Sequence, residues 1–198
     1  MTRGARYTLY LVLAIVAGAG AYGLGVMLRP TPEPAGTALT NPVPVRGLEL
    51  VDRNGEPADL AGDFAGELTL VFFGYTRCPD VCPLTLAQLS RAYEDAGTPD
   101  DVNVVMVTVD PEFDTPDVIG DFVARFHPEF IGLTGSNQQV ATAARTFFVG
   151  YAGVAADHQL MHTDVVAVVD RDGMLRRIYG TDDVPQLALD LPNLRRDL

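Results

Sequence analysis

The sequence predicts an α/β sandwich with a central mixed β-sheet, preceded by one N-terminal transmembrane helix. From Gly47 onward, short runs rich in β-branched residues alternate with amphipathic stretches, the pattern of strands and helices packed in layers. Ahead of them stands an uncharged apolar segment, Tyr7–Leu28, and between the two lies a proline-rich stretch without periodicity. With leader and linker set aside, about 150 residues remain, enough for one domain with a sizeable core.

Met1 to Arg6 carries Arg3 and Arg6 and no acid. The segment "YTLYLVLAIVAGAGAYGLGVML" then runs for about 22 residues, or about 33 Å as a helix, which is enough for a bilayer core. Arginines on its N-terminal side place the N-terminus in the cytoplasm and the following domain on the periplasmic, extracytoplasmic side of the inner membrane. The rival reading is a signal peptide cleaved near Ala17, Ala19 or Ala21, although the apolar run is long for one. Either exports the domain. "RPTPEPAGTALTNPVPV" reads as a semi-extended linker. The expected organisation is residues 1–29 as membrane anchor or uncleaved signal, 30–45 as linker and 46–198 as the domain.

Within the domain, Leu68–Tyr75 is a continuous apolar run of buried-strand length. Pro83–Gly97 follows as a helix, with Leu86, Leu89 and Tyr93 on one face. Val102–Asp110 is a second strand. Asp114–Phe126 is a helix with Val118, Phe122 and Phe126 facing inward and a proline near its start. "FIGLTG" is a short strand, followed by a helix that Ser136 can cap. Asp164–Gly180 reads as two strands about a turn at Asp172–Gly173, an antiparallel hairpin added to a mostly parallel sheet. "VPQLALDL" closes as a short helix.

Fourteen basic residues against 26 acidic ones give a net charge of −12, which repels phosphate backbones and argues against nucleic acid as a partner. Every basic residue is arginine. Without lysine, P-loop and Schiff-base chemistry are excluded.

The two cysteines, Cys78 and Cys82, fall in "FFGYTRCPDVCP", between a buried strand and the start of a helix. One pair is too few for a disulfide scaffold or an all-cysteine zinc site. A helix N-terminus favours thiolate over thiol, and residues four apart share a helical face with Cα atoms roughly 6 Å apart. That spacing permits both a reversible disulfide and a two-thiolate clamp. A selective clamp needs a further ligand. Of the three histidines, His162 directly precedes a strand-like run, near a loop from which it can reach the cysteine turn. Two thiolates and one imidazole form a soft set that suits Cu(I) and also holds Cu(II). The plain alternative is an ordinary strand-edge histidine.

Three ordered motifs carry a family resemblance: "FFGYTRCPDVCP", "VTVDPEFDTP" (Val107–Pro116) and "HTDVVAVVDRDG" (His162–Gly173). Together with the leader they resemble the Sco/SenC family over essentially the whole chain. The resemblance implies a thioredoxin-like fold and one copper ion, Cu(I) or Cu(II), per domain. It makes Cys78, Cys82 and His162 the metal ligands. It also implies delivery of copper to, or assembly of, the copper centre of cytochrome c oxidase, the partner being the copper-bearing oxidase subunit or another copper chaperone. No catalysis is required for that role. The alternative is a thiol–disulfide oxidoreductase that uses Cys78 and Cys82 as its redox pair. A peroxidase using Thr76 and Arg77 beside one cysteine is a more distant third.

Other residues have two readings each. His158 is a spare ligand or simply solvated. Arg77 raises the local positive potential or is merely exposed. Asp110 and Asp114 match the family's acidic pair, as docking or supporting residues, or else form a strand-end turn in which Asp114 caps the next helix. Asp80 bonds the helix N-terminus or repels a second thiolate. Met161 is a soft ligand or packing, Phe72, Phe73 and Tyr75 are core, and His127 is a cap or surface residue.

Overall fold

The computed structural model describes residues 3–27, 33–153 and 160–198, in two units, Met1–Glu33 and Pro34–Leu198. The first unit holds one helix, α1 (Arg3–Met27). The expected secondary structure is present, but among the described residues no helix is long and apolar enough to cross a membrane. Leu28 and Arg29, where the expected span ends, lie outside the described residues, as does His158.

In the second unit the chain order is β1 (Thr37–Pro44), β2 (Glu49–Val51), β3 (Pro57–Asp59), β4 (Leu68–Gly74), α2 (Val81–Asp95) and β5 (Val102–Thr108). There follow α3 (Pro116–Ala124), β6 (Ile131–Leu133), α4 (Asn137–Thr146), β7 (Tyr151–Gly153), β8 (Leu160–His162), β9 (Val165–Val169), β10 (Met174–Gly180), a 3-10 turn (Thr181–Asp183) and α5 (Val184–Asp197). The main sheet runs β1-β10-β9-β4-β5-β6. All seven residues of β4 are buried, which is why that run is apolar throughout rather than alternating.

β4, β5 and β6 pair in parallel, whereas β9, β10 and β1 join antiparallel. The sheet is mixed, as the sequence predicts, but it is not mostly parallel. The difference comes from β1, which occupies residues expected to be linker. An edge strand tolerates proline because its outer N–H groups need no ladder partner, and a register shift between Ala38 and Val43 absorbs the irregularity. The chain is held just before β1 as well. The Arg177 guanidinium donates to the carbonyls of Pro34, Ala35 and Gly36, and the Asp190 carboxylate accepts from Ala35 N–H at 2.6 Å. The compact unit that contains this sheet runs from Pro34 to Leu198.

The helices are set by apolar faces and ends. α2 buries Leu86, Leu89 and Tyr93 as expected. α3 starts on Pro116, but its inward face is Ile119, Phe122 and Val123, with Val118 turned partly outward. Ser136 caps α4 in a reciprocal pair with Gln139. α5 runs well past the predicted "VPQLALDL" and continues through Pro192, because buried Leu187, Leu191 and Leu194 hold it against the domain, where it packs on α2. His127 is neither cap nor free surface: its ring stands edge-on to Tyr93 at 4.9 Å and tilted against Phe130.

Asp190 is the polar hinge of this arrangement, since it also accepts from the buried Tyr179 hydroxyl at 3.0 Å. Replacement Asp190→Ala strands that hydroxyl and releases Ala35, so a loss of about 1–3 kcal/mol is expected. Denaturant unfolding of wild type and variant measures it. Tyr179→Phe in the Asp190→Ala background recovers part of the loss.

Candidate metal centre

β4 ends at Gly74, and a turn carries the chain through Tyr75 to Asp80 before α2 begins. Cys78 lies in that turn and Cys82 in the first turn of α2, so the sulfurs do not share one helical turn, as their spacing suggests they would. They are neighbours nonetheless: Cys82 N–H, one of the orphan donors of the helix start, points at Cys78 Sγ at 3.4 Å. Both thiols are free; Cys82 is buried and Cys78 partly exposed. Asp80 occupies the N-cap position but makes no side-chain cap bond.

Gly74 allows this turn to fold. A Cβ there would stand 2.9 Å from Cys82 Sγ and 2.9 Å from the Phe72 ring, so any side chain would push the sulfur away from β4.

His162 arrives from an unpredicted direction. It does not open the β9 strand; it ends β8, which pairs with β7 in a small hairpin with His162 opposite Tyr151. Tyr75 joins this hairpin to the cysteine turn. Its hydroxyl accepts from Leu160 N–H at 3.3 Å, and its ring stands edge-on to the imidazole at 5.9 Å. Phe72 flanks the imidazole at 6.4 Å. Held between these rings, His162 Nε2 lies 3.6 Å from Cys82 Sγ. Its Nδ1 faces Asp164 Oδ1 at 3.1 Å and the Thr163 carbonyl at 3.4 Å. Strand alternation turns neighbouring Met161 to the opposite side of β8, where it is 71% exposed, so it is neither packed nor within the site.

The donors form a pair with a neighbour, not a closed trio. Among the described residues no three His, Cys, Asp or Glu side chains are drawn together as an ion requires. The pair itself fits a shared ion. At 3.6 Å apart, Cys82 Sγ and His162 Nε2 could serve as a sulfur and a nitrogen donor to one soft ion. Cys78 is the adjoining sulfur, accepting from Cys82 N–H at 3.4 Å.

Electrostatically, the expectation of a helix-favoured thiolate fails at Cys82. Burial pushes its thiol well up, and the nearby Cys78 and Asp164 act in the same direction. Desolvation outweighs the helix terminus, and the metal-free sulfur keeps its proton.

The acidic pair has two different roles. Asp114 is fully buried and does not cap α3, whose N-cap is Thr115. Its carboxylate accepts from Thr76 N–H at 3.0 Å, from the Thr76 hydroxyl and from the Thr108 hydroxyl at 2.6 Å. This fastens the turn before Cys78 to the end of β5. Burial raises the Asp114 carboxyl, and the Thr108 and Thr76 bonds oppose the rise. Asp110 instead pairs with Arg77, whose guanidinium lies 4.2 Å over the Phe113 ring. Arg77 is therefore engaged on its own acid and aromatic, not free to bias the thiols. Sequence reasoning missed the Tyr75 hydroxyl, the Thr76–Asp114–Thr108 link and Asp164. Of these, only Asp164 carries a local signal, a carboxylate two residues from a candidate ligand.

Comparison with known proteins identifies the family. The SCO1/SenC family profile matches residues 43–191. A SCO2-like protein of Rickettsia felis is 34% identical over 91% of this chain and 92% of its own. The solution structure of apo Sco1 from Thermus thermophilus superposes with a TM-score of 0.73 at 37% identity, covering 83% of this chain and 99% of that one. The copper-bound structure of Bradyrhizobium japonicum ScoI gives 0.67 at 32% identity, covering 80% and 98%. With this match over most of its length, and with a thioredoxin-like α/β domain in common, the chain belongs to the SCO1/SenC family.

Proposed function

We propose that this protein binds one copper ion through Cys78, Cys82 and His162 and delivers it to the copper centre of cytochrome c oxidase, directly or through another copper chaperone. The observation that carries the reading is the approach of His162 Nε2 to 3.6 Å from Cys82 Sγ, across 80 residues of chain, with Cys78 as the adjoining sulfur. Two sulfurs and an imidazole prefer Cu(I) and tolerate Cu(II). Copper is cargo here. Entry of Cu(I) displaces the thiol protons to solvent, and the partly exposed Cys78 is the ligand an acceptor's thiols reach first. Copper bound by a relative at 32% identity supports the assignment. The oxidase as destination is what membership of the family implies.

The reading includes tethering by residues 7–28 to the inner membrane, with a cytoplasmic N-terminus and a periplasmic domain. The apolar run, the helical α1 and the preceding Arg3 and Arg6 support it.

A thiol–disulfide role is favoured by one specific observation, the unequal burial of two adjacent free thiols. Cys78 is accessible as nucleophile and Cys82 is sheltered as resolver. Nucleophilic attack by the Cys78 thiolate on a partner disulfide would break that bond, expel one partner thiolate and leave a mixed disulfide. Cys82 would then displace the partner's thiol, leaving Cys78–Cys82 oxidised and the partner reduced. Each turnover consumes the pair, so a thiol reductant must restore it.

Four measurements test these readings. The reduced protein takes up one Cu(I), with two sulfurs and one nitrogen in its X-ray absorption spectrum. Cys78→Ala, Cys82→Ala and His162→Ala each abolish tight binding, and wild-type affinity in His162→Ala refutes the ligand assignment. Timed alkylation of the metal-free protein modifies Cys78 well before Cys82, and equal rates contradict the assigned roles. Gly74→Ala costs about 1–3 kcal/mol of stability by overpacking and weakens copper binding, because the new methyl group displaces Cys82 Sγ.

A further inference from the structure

We propose that Asp164 is a positioning residue for the copper-binding imidazole, holding His162 with its proton on Nδ1 and its Nε2 lone pair turned toward Cys82. The inference rests on the copper reading above for its consequence, but its structural content stands on contacts within the metal-free chain.

The argument is one of donors and acceptors. His162 Nδ1 faces Asp164 Oδ1 at 3.1 Å and the Thr163 carbonyl at 3.4 Å. A carboxylate and a carbonyl only accept. A bare Nδ1 would set three lone pairs against one another, whereas a protonated one satisfies the arrangement. In a neutral imidazole a proton on Nδ1 leaves Nε2 bare, and Nε2 is the atom 3.6 Å from Cys82 Sγ. The opposite tautomer would leave Nδ1 opposed to its acceptors.

The carboxylate is well placed for this task. The chain turns between β8 and β9, so the side chain two residues after His162 folds back toward the ring. The Asp164 backbone is tied to the domain through its carbonyl, which accepts from Thr181 N–H at 3.3 Å. The ring has little freedom of its own: the His162 side chain is 3% exposed, with Tyr75 and Phe72 against its faces and edges. Asp164 remains 37% exposed, so it can hold a charge that complements the ring N–H. A carboxylate behind a ligating imidazole both fixes its orientation and makes it a stronger donor.

The test uses the full-length chain, labelled with 15N-histidine, reduced and metal-free, as wild type and as Asp164→Ala, Asp164→Asn and Asp164→Glu. His162→Ala identifies the ring signals by their loss. In wild type the His162 ring shows an unprotonated Nε2. Asp164→Ala raises the share of the Nε2–H tautomer, Asp164→Asn raises it less because the amide oxygen still accepts, and Asp164→Glu stays nearest to wild type. In competition with a chromophoric Cu(I) chelator, Asp164→Ala binds about 10–100-fold more weakly, in the same rank order, with unchanged unfolding midpoints. A wild-type ring protonated on Nε2 overturns the proposal. So does an unchanged ring pattern in both Ala and Asn variants, or unchanged copper affinity in both. If Asp164→Ala does not fold, the near-isosteric Asp164→Asn decides alone. Failure of wild type to bind copper would refute the proposed function instead, while the ring tautomer would still judge Asp164.

Discussion

The centre depends on one long-range approach, in which a ring from the β7–β8 hairpin comes within 3.6 Å of a sulfur in the first turn of α2. Neither group reaches the other on its own. The sulfur sits deep because Gly74 lets the helix start close onto β4. The ring sits over it because the Tyr75 hydroxyl takes a backbone N–H from the hairpin, and because the Tyr75 and Phe72 rings leave it one orientation. Tyr75 immediately follows Gly74, so two successive residues at the end of one strand set both partners of the pair.

Burial keeps the Cys82 thiol protonated. In water a thiol beside a helix N-terminus would lean toward thiolate, but here removal from solvent disfavours the anion more strongly. A buried polar group without a partner costs about 1–3 kcal/mol, and the imidazole nitrogen 3.6 Å away gives the sulfur a polar neighbour. The same two atoms are thus compatible with one another before any ion arrives. The fastening of the preceding turn by Asp114, through Thr76 and Thr108, limits how far the other sulfur can wander.

Much of the fold was legible because burial leaves its mark on composition. β4 and β5 are apolar on both faces and were found with nearly correct ends. Ser136 announced α4 through its own hydroxyl. Where the reading went astray, a tertiary partner decided. β1 carries prolines that suggest linker, and only the presence of β10 beside it makes a strand. In α3, a helix of nine residues, two stripes fit the apolar pattern, and contact with the sheet selected the one through Ile119. The candidate ligands were visible by residue type and order, but their supports were not. Nothing in the letters around Tyr75 says that its hydroxyl will meet Leu160, or that Asp114 will be buried beneath Thr76 rather than capping a helix.

The two cysteines, four residues apart, are not equivalent, and the inequality bears on how such a centre could release what it holds. Cys82 is enclosed by β4, the helix and the imidazole, so an incoming group cannot reach it without unpacking the core. Cys78 lies in a turn outside the helix, partly exposed, next to the Arg77–Asp110 pair that rests on exposed Phe113. Ligand exchange at a three-coordinate soft ion proceeds by adding an entering thiolate before a leaving one departs, which favours replacement on the open side. An ion shared by the trio would therefore leave through Cys78 while Cys82 and His162 keep their places. In such an exchange the rigid pair would anchor the ion and the turn would open to the acceptor, an arrangement that follows from burying one sulfur and sparing the other.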